Sequence, residues 1–569
     1  MRSLYFSLKM IFCLLAVSLT AFGQSKDRSI PSTKLSIEEQ KNITITGNIK
    51  QFAKNKGLVD QYAFQYIDLI TGKDVIIPIS KDSLGNYSVT FPVNGYQEIQ
   101  LTQGVKFGDD IRFGMYIMGS FFAKPGDAMD FDYKWLKDYT TKMTFKGNMA
   151  NSNNRLKDYS HALNEAQGST DLFSFGSLDS LKPGGYGTFK QSLTAQLKKV
   201  LDFNTKYFTT ANADPFLKGQ LDLESKYFVG NHLLLALLKT KEKDPNLFQF
   251  LDSIGAPLNN QKAFGNFRYK SFLNSYYQFL ERETFATGKE ITILFTDMAR
   301  YLLKEHIEFS EDEKALCRKI LDTVNKASEA DKQYFMETYS TRFDQEYLMT
   351  FKIKATFDQI ASNKDRFVKD VFLTRLLRER LENNQLVNIN SLIPDYKSIV
   401  SDNPVKKQFL KDYQLAYDRL YKSKLSVKSI LNDAKTLPTN ALVKNILEKY
   451  KGKVVYLDVW ATWCSPCISE MANSKKLRNQ VIGKDVVFLY LCISSPTEST
   501  WQNLIAGHNI EGEHYFLNNG QSEELGREFN IRFIPRYLII DKEGKVANAQ
   551  AERPSSSKTL AEISELLLK

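Results

Sequence analysis

The hydrophobic pattern of residues 41–148 is that of short β-strands. Apolar, aromatic and β-branched residues, in places alternating with polar ones, occupy the stretches 43–49, 62–70, 87–93, 99–101 and 117–122. A Gly-Asn pair before the third stretch and Lys-Pro-Gly-Asp at 124–127 are turn signals. Short strands separated by such turns predict an N-terminal all-β sandwich of antiparallel strands.

Between residues 151 and 424 the apolar positions recur with the period of helices. This pattern covers the stretches 189–210, 221–241, 267–283, 311–326, 367–382 and 405–422. It predicts an all-α middle region. Aromatic residues are frequent on these helices, and we expect the following to be core residues: Tyr276, Tyr277, Phe279, Tyr413, Tyr417 and Tyr421.

Residues 440–569 alternate between the two periods. Strands are predicted at 454–459, 486–493, 514–517, 536–540 and 545–549, and helices at 441–450, 466–480, 498–509, 522–529 and 557–568. Strand–helix–strand followed by a hairpin and a helix predicts an α/β layer with mixed strand directions. The preceding stretch, 426–439, shows no strand pattern and is interpreted as helix or loop.

Residues 1–23 have the parts of a secretory signal peptide. A basic start precedes an apolar run at 10–22, and the small residues Ala21 and Gly23 occupy the −3 and −1 positions of a cleavage site. The run is short for a membrane span, so an uncleaved anchor is the weaker interpretation. We expect cleavage near Gly23-Gln24, a polar linker at 24–40, and export to the periplasm or cell envelope.

Composition and charge limit the classes of protein to which the chain can belong. The chain has 569 residues, of which 43% are hydrophobic and 25% charged. This is the composition of a soluble folded protein, and the length exceeds one hydrophobic core, so several domains are expected. The formal net charge of +11 arises from Lys and Arg mixed with acidic residues, which gives no reason to expect a nucleic-acid partner.

Cysteine usage favours redox chemistry. Five cysteines are present, and cleavage would remove Cys13. The remaining four are too few for a disulfide-stapled scaffold in an exported chain of this length. Cys464 and Cys467 form a Cys-x-x-Cys pair, whereas Cys317 and Cys492 have apolar neighbours and are expected in the core.

The stretch from Tyr456 to Cys467 is YLDVWATWCSPC. It predicts a strand that leads into a turn, with Cys464 where the next helix begins. Unpaired N–H groups and the helix dipole there favour an anion, so we expect the pKa of the Cys464 thiol to lie below the usual value of ~8.5. Pro466 is compatible with a first helical turn, and the spacing brings Cys467 close enough to bond with Cys464.

These residues predict a two-step exchange. Cys464 attacks a substrate disulfide to form a mixed disulfide, and Cys467 then attacks Cys464 and releases the reduced product. Cys467 needs a base for this step. Asp458 precedes the pair in an apolar strand, where burial would raise the pKa of its carboxyl group and suit proton transfer near neutrality. The alternative is that Asp458 is a strand-end residue without a chemical role.

The same stretch resembles the active-site segment of the thioredoxin superfamily, especially its exported TlpA-like or ResA-like thiol–disulfide oxidoreductases. The resemblance covers residues 440–569 and implies a thioredoxin-like fold. It also implies a nucleophile at Cys464, a resolving cysteine at Cys467, the buried aspartate at Asp458 and the motif tryptophan at Trp463. The arrangement of a sandwich and helices before such a domain resembles that of multidomain TlpA-like proteins, and this resemblance is looser.

A second segment, FIPRYLIID at 533–541, resembles the family segment that carries a cis-proline opposite the cysteines. The resemblance implies that Pro535 is cis and part of the catalytic site, and that the backbone of Ile534 pairs with substrate. The substrate-binding residues implied in this way are Trp463, Ser465, Pro466 and Ile534. Ala472 departs from the family, because many relatives have a proline at that position.

The sequence therefore predicts a thiol–disulfide oxidoreductase of the cell envelope. We expect no cofactor and no metal, because the histidines lack ligand spacing and a zinc site needs a second ligand pair. Ala461 occupies the place of a threonine or serine in peroxiredoxins, which disfavours a peroxidase. The expected partners are a disulfide-containing protein substrate and a membrane or envelope electron donor.

The direction of the reaction stays open at this point. The dipeptide Ser465-Pro466 has no histidine to stabilise the thiolate strongly, which favours a reductase over an oxidase or isomerase. A different class of function is a partner-binding envelope protein, in which the thioredoxin-like domain serves only for docking.

Overall fold

The structure is a computed structural model. It describes residues 41–569 except 51–57, 94, 108–109, 136–140, 168–177, 179–180, 209–212, 287–298, 301–302, 304–310, 323–326, 343–348 and 496–497. The predicted signal peptide at 1–23 and linker at 24–40 lie outside the described residues. None of the helices in the described part of the chain is both long and apolar enough to cross a membrane.

The N-terminal region is built of β-strands. The strands are β1 (Lys41–Lys50), β2 (Leu58–Ile67), β3 (Asp74–Ile79), β4 (Asn86–Val93), β5 (Gln97–Phe107), β6 (Asp110–Ala123), β7 (Ala128–Trp135) and β8 (Thr141–Gly147). They form two four-stranded sheets, in the orders β4-β1-β7-β8 and β3-β2-β5-β6. The five predicted strands are confirmed, and β3, β7 and β8 were not predicted.

The two sheets enclose one aromatic core. Alternation in β1 buries Ile43 and Ile45, as expected for a strand with one face inside. The ring of Phe121 lies 5.6 Å from that of Phe64 in its own sheet and 5.0 Å from that of Phe131 in the other sheet. The prediction that the strands are all antiparallel is wrong for β1 and β7, which pair in parallel. Alternation reports which face of a strand is buried and carries no information on the direction of its neighbour.

Helices follow from residue 150 to residue 422. They are α1 (Ala150–Gln167), α2 (Tyr186–Tyr207), α3 (Pro215–Thr240), α4 (Leu247–Ser253), α5 (Phe267–Ala286), α6 (Glu311–Leu321), α7 (Glu329–Arg342), α8 (Met349–Ala361), α9 (Arg366–Glu382), α10 (Leu386–Ile389), α11 (Ile393–Ile399) and α12 (Pro404–Lys422). Each of the six predicted helices has a counterpart. The side chains of Asp214 and Asn403 accept hydrogen bonds from backbone N–H groups at the starts of α3 and α12, as N-cap residues do.

The aromatic residues expected in the helical core fall into three groups, of which the half-buried one consists of Phe279, Tyr413 and Tyr417. Tyr276 and Tyr277 on α5 are buried and stack against α9 through Phe372. Tyr421, in the last turn of α12, is 39% exposed, so the prediction is wrong for this residue. The Tyr421 hydroxyl accepts a hydrogen bond from the Asn390 side chain over 3.2 Å at the surface, and helical spacing alone does not show which face of a helix its neighbours cover.

The C-terminal region is an α/β layer. Its elements are β9 (Ser429–Asn432), α13 (Leu442–Glu448), β10 (Val454–Trp460), α14 (Ser465–Gln480), β11 (Val486–Cys492), α15 (Glu498–His508), β12 (Gly512–Phe516), α16 (Asn519–Glu528), β13 (Arg536–Ile540), β14 (Val546–Ala551) and α17 (Ser557–Leu568). They form a six-stranded sheet in the order β14-β13-β10-β11-β12-β9. Four neighbouring strands from β10 to β9 run parallel, and β13 and β14 are antiparallel additions.

The stretch 426–439 contains a strand that was interpreted as helix or loop. β9 pairs in parallel with β12 and forms one edge of the sheet. The interpretation is wrong there because β9 is only four residues long, too short to show a period. The rest of the stretch is loop.

The central strand β10 is covered on both faces. Tyr456 and Trp460 belong to the same buried cluster as Cys467 of α14, whereas Leu457 packs with Ile446 of α13 on the other face. Every residue of β10 is buried, as expected for a parallel strand inside an α/β layer. The carboxyl end of this strand delivers the chain to the start of α14.

Candidate active site

Cys464 and Cys467 form a disulfide at the start of α14. Their Cα atoms are 5.2 Å apart, because three residues of helical chain bring them to adjacent positions on one turn. Cys464 is the N-cap residue of the helix. Its Sγ atom accepts a hydrogen bond from the backbone N–H of Cys467 over 3.2 Å, so the helix terminus stabilises negative charge on this sulfur.

The two sulfurs differ in exposure. Cys464 is 4% exposed and Cys467 is fully buried. Ser465 is half-buried and Pro466 is exposed in the first turn beside them. Of the two cysteines, Cys464 is therefore the one with surface in contact with solvent.

Asp458 lies on the same face of β10 as Tyr456 and Trp460, by the two-residue period of a strand. It is 1% exposed, and in the described part of the chain neither carboxylate oxygen has a hydrogen-bond partner. Its neighbours across the sheet are Tyr490 and Tyr537. Burial, with a smaller contribution from the charge of Glu470, raises the pKa of the Asp458 carboxyl group well above its usual value.

Glu470 is a site residue that the sequence analysis missed. It lies on α14 three residues after Cys467 and is 9% exposed. One carboxylate oxygen accepts a hydrogen bond from the exposed Ser555 hydroxyl over 3.2 Å, and the other accepts from Asn473 over 3.3 Å. The spacing of three residues on a helix was the available signal, because it places Glu470 on the side of the helix that carries Cys467.

Trp463 is fixed by the loop that follows β11. Its indole N–H donates to the carbonyl oxygen of Ser494 over 2.7 Å. The backbone N–H of Thr462 donates to the Ser495 hydroxyl over 2.9 Å. Two loops from neighbouring parallel strands thus hold the residues just before Cys464.

The other two cysteines are buried, as predicted. Cys492 donates to the Ser495 hydroxyl over 3.2 Å, and burial raises the pKa of its thiol to about 12. Cys317 packs in a separate helical cluster, and burial raises its thiol pKa to about 11. Within the described ranges, no group of three or more His, Cys, Asp or Glu side chains is placed to hold a metal ion.

The peptide bond between Ile534 and Pro535 is cis, as the resemblance implies. The antiparallel pairing of β10 with β13 ends at Val459 and Arg536, so Pro535 follows on the side of the sheet where β10 passes into the cysteine turn. Ile534 packs against the buried cluster that contains Cys464. The structure therefore brings together the two sequence segments singled out above.

Comparison with known proteins agrees with this geometry. Residues 428–567 match the Redoxin family model. The C-terminal region belongs to the thioredoxin superfamily, as a ResA-like domain. The chain is 29% identical over 100 residues to "Thiol-disulfide oxidoreductase ResA" of Bacillus thuringiensis subsp. konkukian (strain 97-27), a match that covers 18% of this chain and 56% of the relative.

The chain is also similar to two further proteins. "Thioredoxin-like protein YneN" of Bacillus subtilis (strain 168) is 27% identical over 112 residues, which cover 20% of this chain and 64% of that protein. A crystal structure of a candidate thiol-disulfide oxidoreductase from Bacteroides vulgatus is 38% identical, with coverage of 21% of this chain and 82% of its own and a TM-score of 0.20. The chain spans about half the length of the curated relatives it matches.

Proposed function

We propose that the chain is a thiol–disulfide oxidoreductase of the cell envelope that reduces protein disulfides. The observation that carries the proposal is the Cys464–Cys467 disulfide at the start of α14, with a sulfur that accepts a helix N–H group. Names of relatives that contain "thiol-disulfide oxidoreductase" support the same reaction class. The export signal predicted at residues 1–23 supports the location.

The reaction starts from the reduced pair. The Cys464 thiolate attacks one sulfur of a substrate disulfide, which releases the other sulfur as a thiol and leaves a mixed disulfide. Cys467 loses its proton and attacks the Cys464 sulfur, so that the second substrate sulfur leaves as a thiol. Two electrons pass to the substrate, and the Cys464–Cys467 disulfide forms.

Asp458 is the proposed acceptor of the Cys467 proton. Its raised pKa keeps the carboxyl group basic enough to take a proton from a thiol. The face of β10 that carries Asp458 also contributes Trp460 to the cluster around Cys467. In this proposal Pro535 shapes the site beside Cys464, and Trp463, Ser465, Pro466 and Ile534 line the path of the substrate.

The partners follow from the electron balance. Each cycle consumes one disulfide of a protein substrate and leaves the enzyme oxidised, so a membrane or envelope electron donor must return two electrons. The absence of a histidine between Cys464 and Cys467 supports the reducing direction. A reduction potential of the pair near that of oxidising disulfide catalysts, ~−120 mV, would contradict this direction.

Two serine substitutions test the roles of the cysteines. Cys464→Ser is expected to abolish reduction of insulin disulfides by dithiothreitol above the blank. Cys467→Ser is expected to accumulate a mixed disulfide with the substrate, because attack remains and resolution is lost. Non-reducing gels and mass spectrometry detect the adduct.

Cys317→Ser is the matched control, since this buried cysteine packs in a separate helical cluster, and it is expected to keep wild-type turnover. Adducts formed by Cys464→Ser and not by Cys467→Ser would reverse the assignment. A wild-type protein that gives no acceleration over the blank would favour the docking-only function.

A further inference from the structure

A large aromatic side chain next to the active site is exposed to solvent. Phe533 is 76% exposed and directly precedes the Ile534–Pro535 cis peptide. Single exposed apolar residues are common on protein surfaces and need no function by themselves. The position of Phe533 is what distinguishes it.

The chain that follows Phe533 locates this side chain. The pairing of β10 with β13 ends at Val459 and Arg536, where β10 passes into the turn that carries Cys464. Only Ile534 and the cis Pro535 separate Phe533 from Arg536, and Ile534 packs against the buried cluster that contains Cys464. Because Phe533 is the direct chain neighbour of Ile534, we assign it to the rim of the cysteine site.

Three further residues near the cysteine pair add apolar surface to the rim. Trp463 is half-buried and held by Ser494, Ile534 is half-buried against the Cys464 cluster, and Pro466 is exposed. The reactive sulfur itself offers little surface, because Cys464 is only 4% exposed. Recognition of a substrate must come largely from this rim.

We propose that Phe533 is a specificity-determining residue that selects protein disulfides in which an apolar side chain lies within two residues of the attacked cysteine. The proposal rests on the proposed disulfide reductase function and adds the substrate class. An apolar substrate side chain covers the exposed ring and removes apolar area of both partners from water. A small disulfide without a peptide chain does not reach the ring and gains nothing from it.

Two peptides of identical charge test the proposal. Each contains one cysteine joined in a disulfide to thionitrobenzoate, and the residues on both sides of the cysteine are Leu in one peptide and Gly in the other. The prereduced full-length protein attacks the peptide sulfur and releases thionitrobenzoate, and Cys467 then releases the peptide thiol. Single-turnover absorbance at increasing peptide concentration separates the half-saturating concentration from the limiting rate.

For the Leu peptide, Phe533→Ala is expected to raise the half-saturating concentration about tenfold, at the low end for an apolar contact, with the limiting rate unchanged. The Gly peptide and dithionitrobenzoate, a small disulfide, are expected to react as with wild type. Phe533→Leu should keep most of the preference for the Leu peptide, since it retains an apolar surface.

Ile482→Ala is the matched control. Ile482 is also an exposed apolar residue, 74% exposed, and follows the opposite end of α14, about 24 Å from its start at 1.5 Å per residue. It is expected to leave both peptides unaffected. Equal loss of reactivity towards both peptides and the small disulfide in Phe533→Ala would overturn the proposal, as would a wild-type protein without preference for Leu. Failure of the wild type with all three disulfides would instead refute the proposed function.

Discussion

Asp458 places a carboxyl group in a buried strand where an apolar side chain would be expected. It lies in a strand whose residues are all buried, and its pKa is raised by that burial and by the nearby charge of Glu470. The hydroxyl group of its neighbour Tyr537 also has no hydrogen-bond partner in the described residues. An unpaired polar group costs stability in a protein interior, which favours a functional reason for its presence.

Replacement of this carboxyl group tests the proton-acceptor role. Asp458→Asn keeps the shape but cannot take the Cys467 proton, so resolution is expected to slow about 10²-fold near neutral pH. Above pH ~8.5 more of Cys467 ionises unaided, and the rates of wild type and variant should converge. Stopped-flow tryptophan fluorescence, to which Trp463 next to Cys464 contributes, follows both steps if the emission depends on the redox state. A rate ratio that does not change with pH would leave Asp458 without a catalytic role.

The same substitution has a predicted effect on stability. Asp458 has a raised pKa in the folded state, whereas an unfolded aspartate ionises near pH 3.9. Below this pH both states hold the proton, and wild type and Asp458→Asn should be about equally stable. As the pH rises towards the folded pKa, only the unfolded wild type ionises, so wild type loses roughly 1.4 kcal/mol per pH unit relative to the variant. Urea unfolding of wild type and Asp458→Asn, each with the Cys464–Cys467 disulfide formed, measures this difference from acid to neutral pH. A difference that does not change with pH would contradict the prediction.

At the scale of elements, α12 of the helical region meets α15 of the thioredoxin-superfamily region through a glycine. A Cβ atom at Gly507 would lie 2.7 Å from the carbonyl oxygen of Arg419. The two helix backbones approach this closely only because position 507 has no side chain. This contact joins the redox region to the helices that precede it.

Gly507→Ala is expected to lower the free energy of unfolding by about 1–3 kcal/mol, because the added methyl group forces α12 and α15 apart. Gly526→Ala in α16 is the matched control. A Cβ atom there meets nothing nearer than 3.9 Å, and alanine is the better helix former by about 1 kcal/mol. Urea unfolding should show opposite signs for the two variants. Equal effects would mean that the close approach at Gly507 is not a packing constraint.

At the scale of the whole molecule, a buried arginine joins the helices to the N-terminal sheets. Arg375 of α9 is 2% exposed and donates to the carbonyl oxygens of Ile70 and Leu69, which follow β2. It also donates to the side chain of Asn274 on α5. The contact fixes the β2–β3 turn against two helices, far along the chain from the cysteine pair.

Arg375→Leu is expected to destabilise this junction by about 2 kcal/mol, because it leaves buried carbonyl oxygens without donors. Hydrogen exchange should increase in the β2–β3 turn, whereas disulfide formation between Cys464 and Cys467 should be unchanged. Lys73→Ala removes only an exposed ion pair with Glu382 in the same turn and should cost less than about 1 kcal/mol. Similar exchange in the two variants would show that Arg375 does not hold the junction.

The sequence predicted the oxidoreductase class and most of the strands and helices. The period of apolar residues located five strands of the sandwich and six long helices. Burial of one face makes every second residue of a strand apolar, and every third or fourth residue of a helix. The Cys-x-x-Cys spacing at a strand–helix boundary indicated a redox pair, and the resemblance to the thioredoxin superfamily added Pro535 as an expected site residue. The periods and the cysteine spacing are short-range information.

Tertiary structure alone decided what depends on residues distant in the chain. The parallel pairing of β1 with β7, the addition of β9 beside β12, and the exposure of Tyr421 follow from neighbours that no local pattern records. The contribution of Glu470 to the Asp458 pKa and the exposure of Phe533 at the site rim belong to the same class. Charge interactions and solvent access depend on distance in space, and that distance is set only when the strands and helices pack.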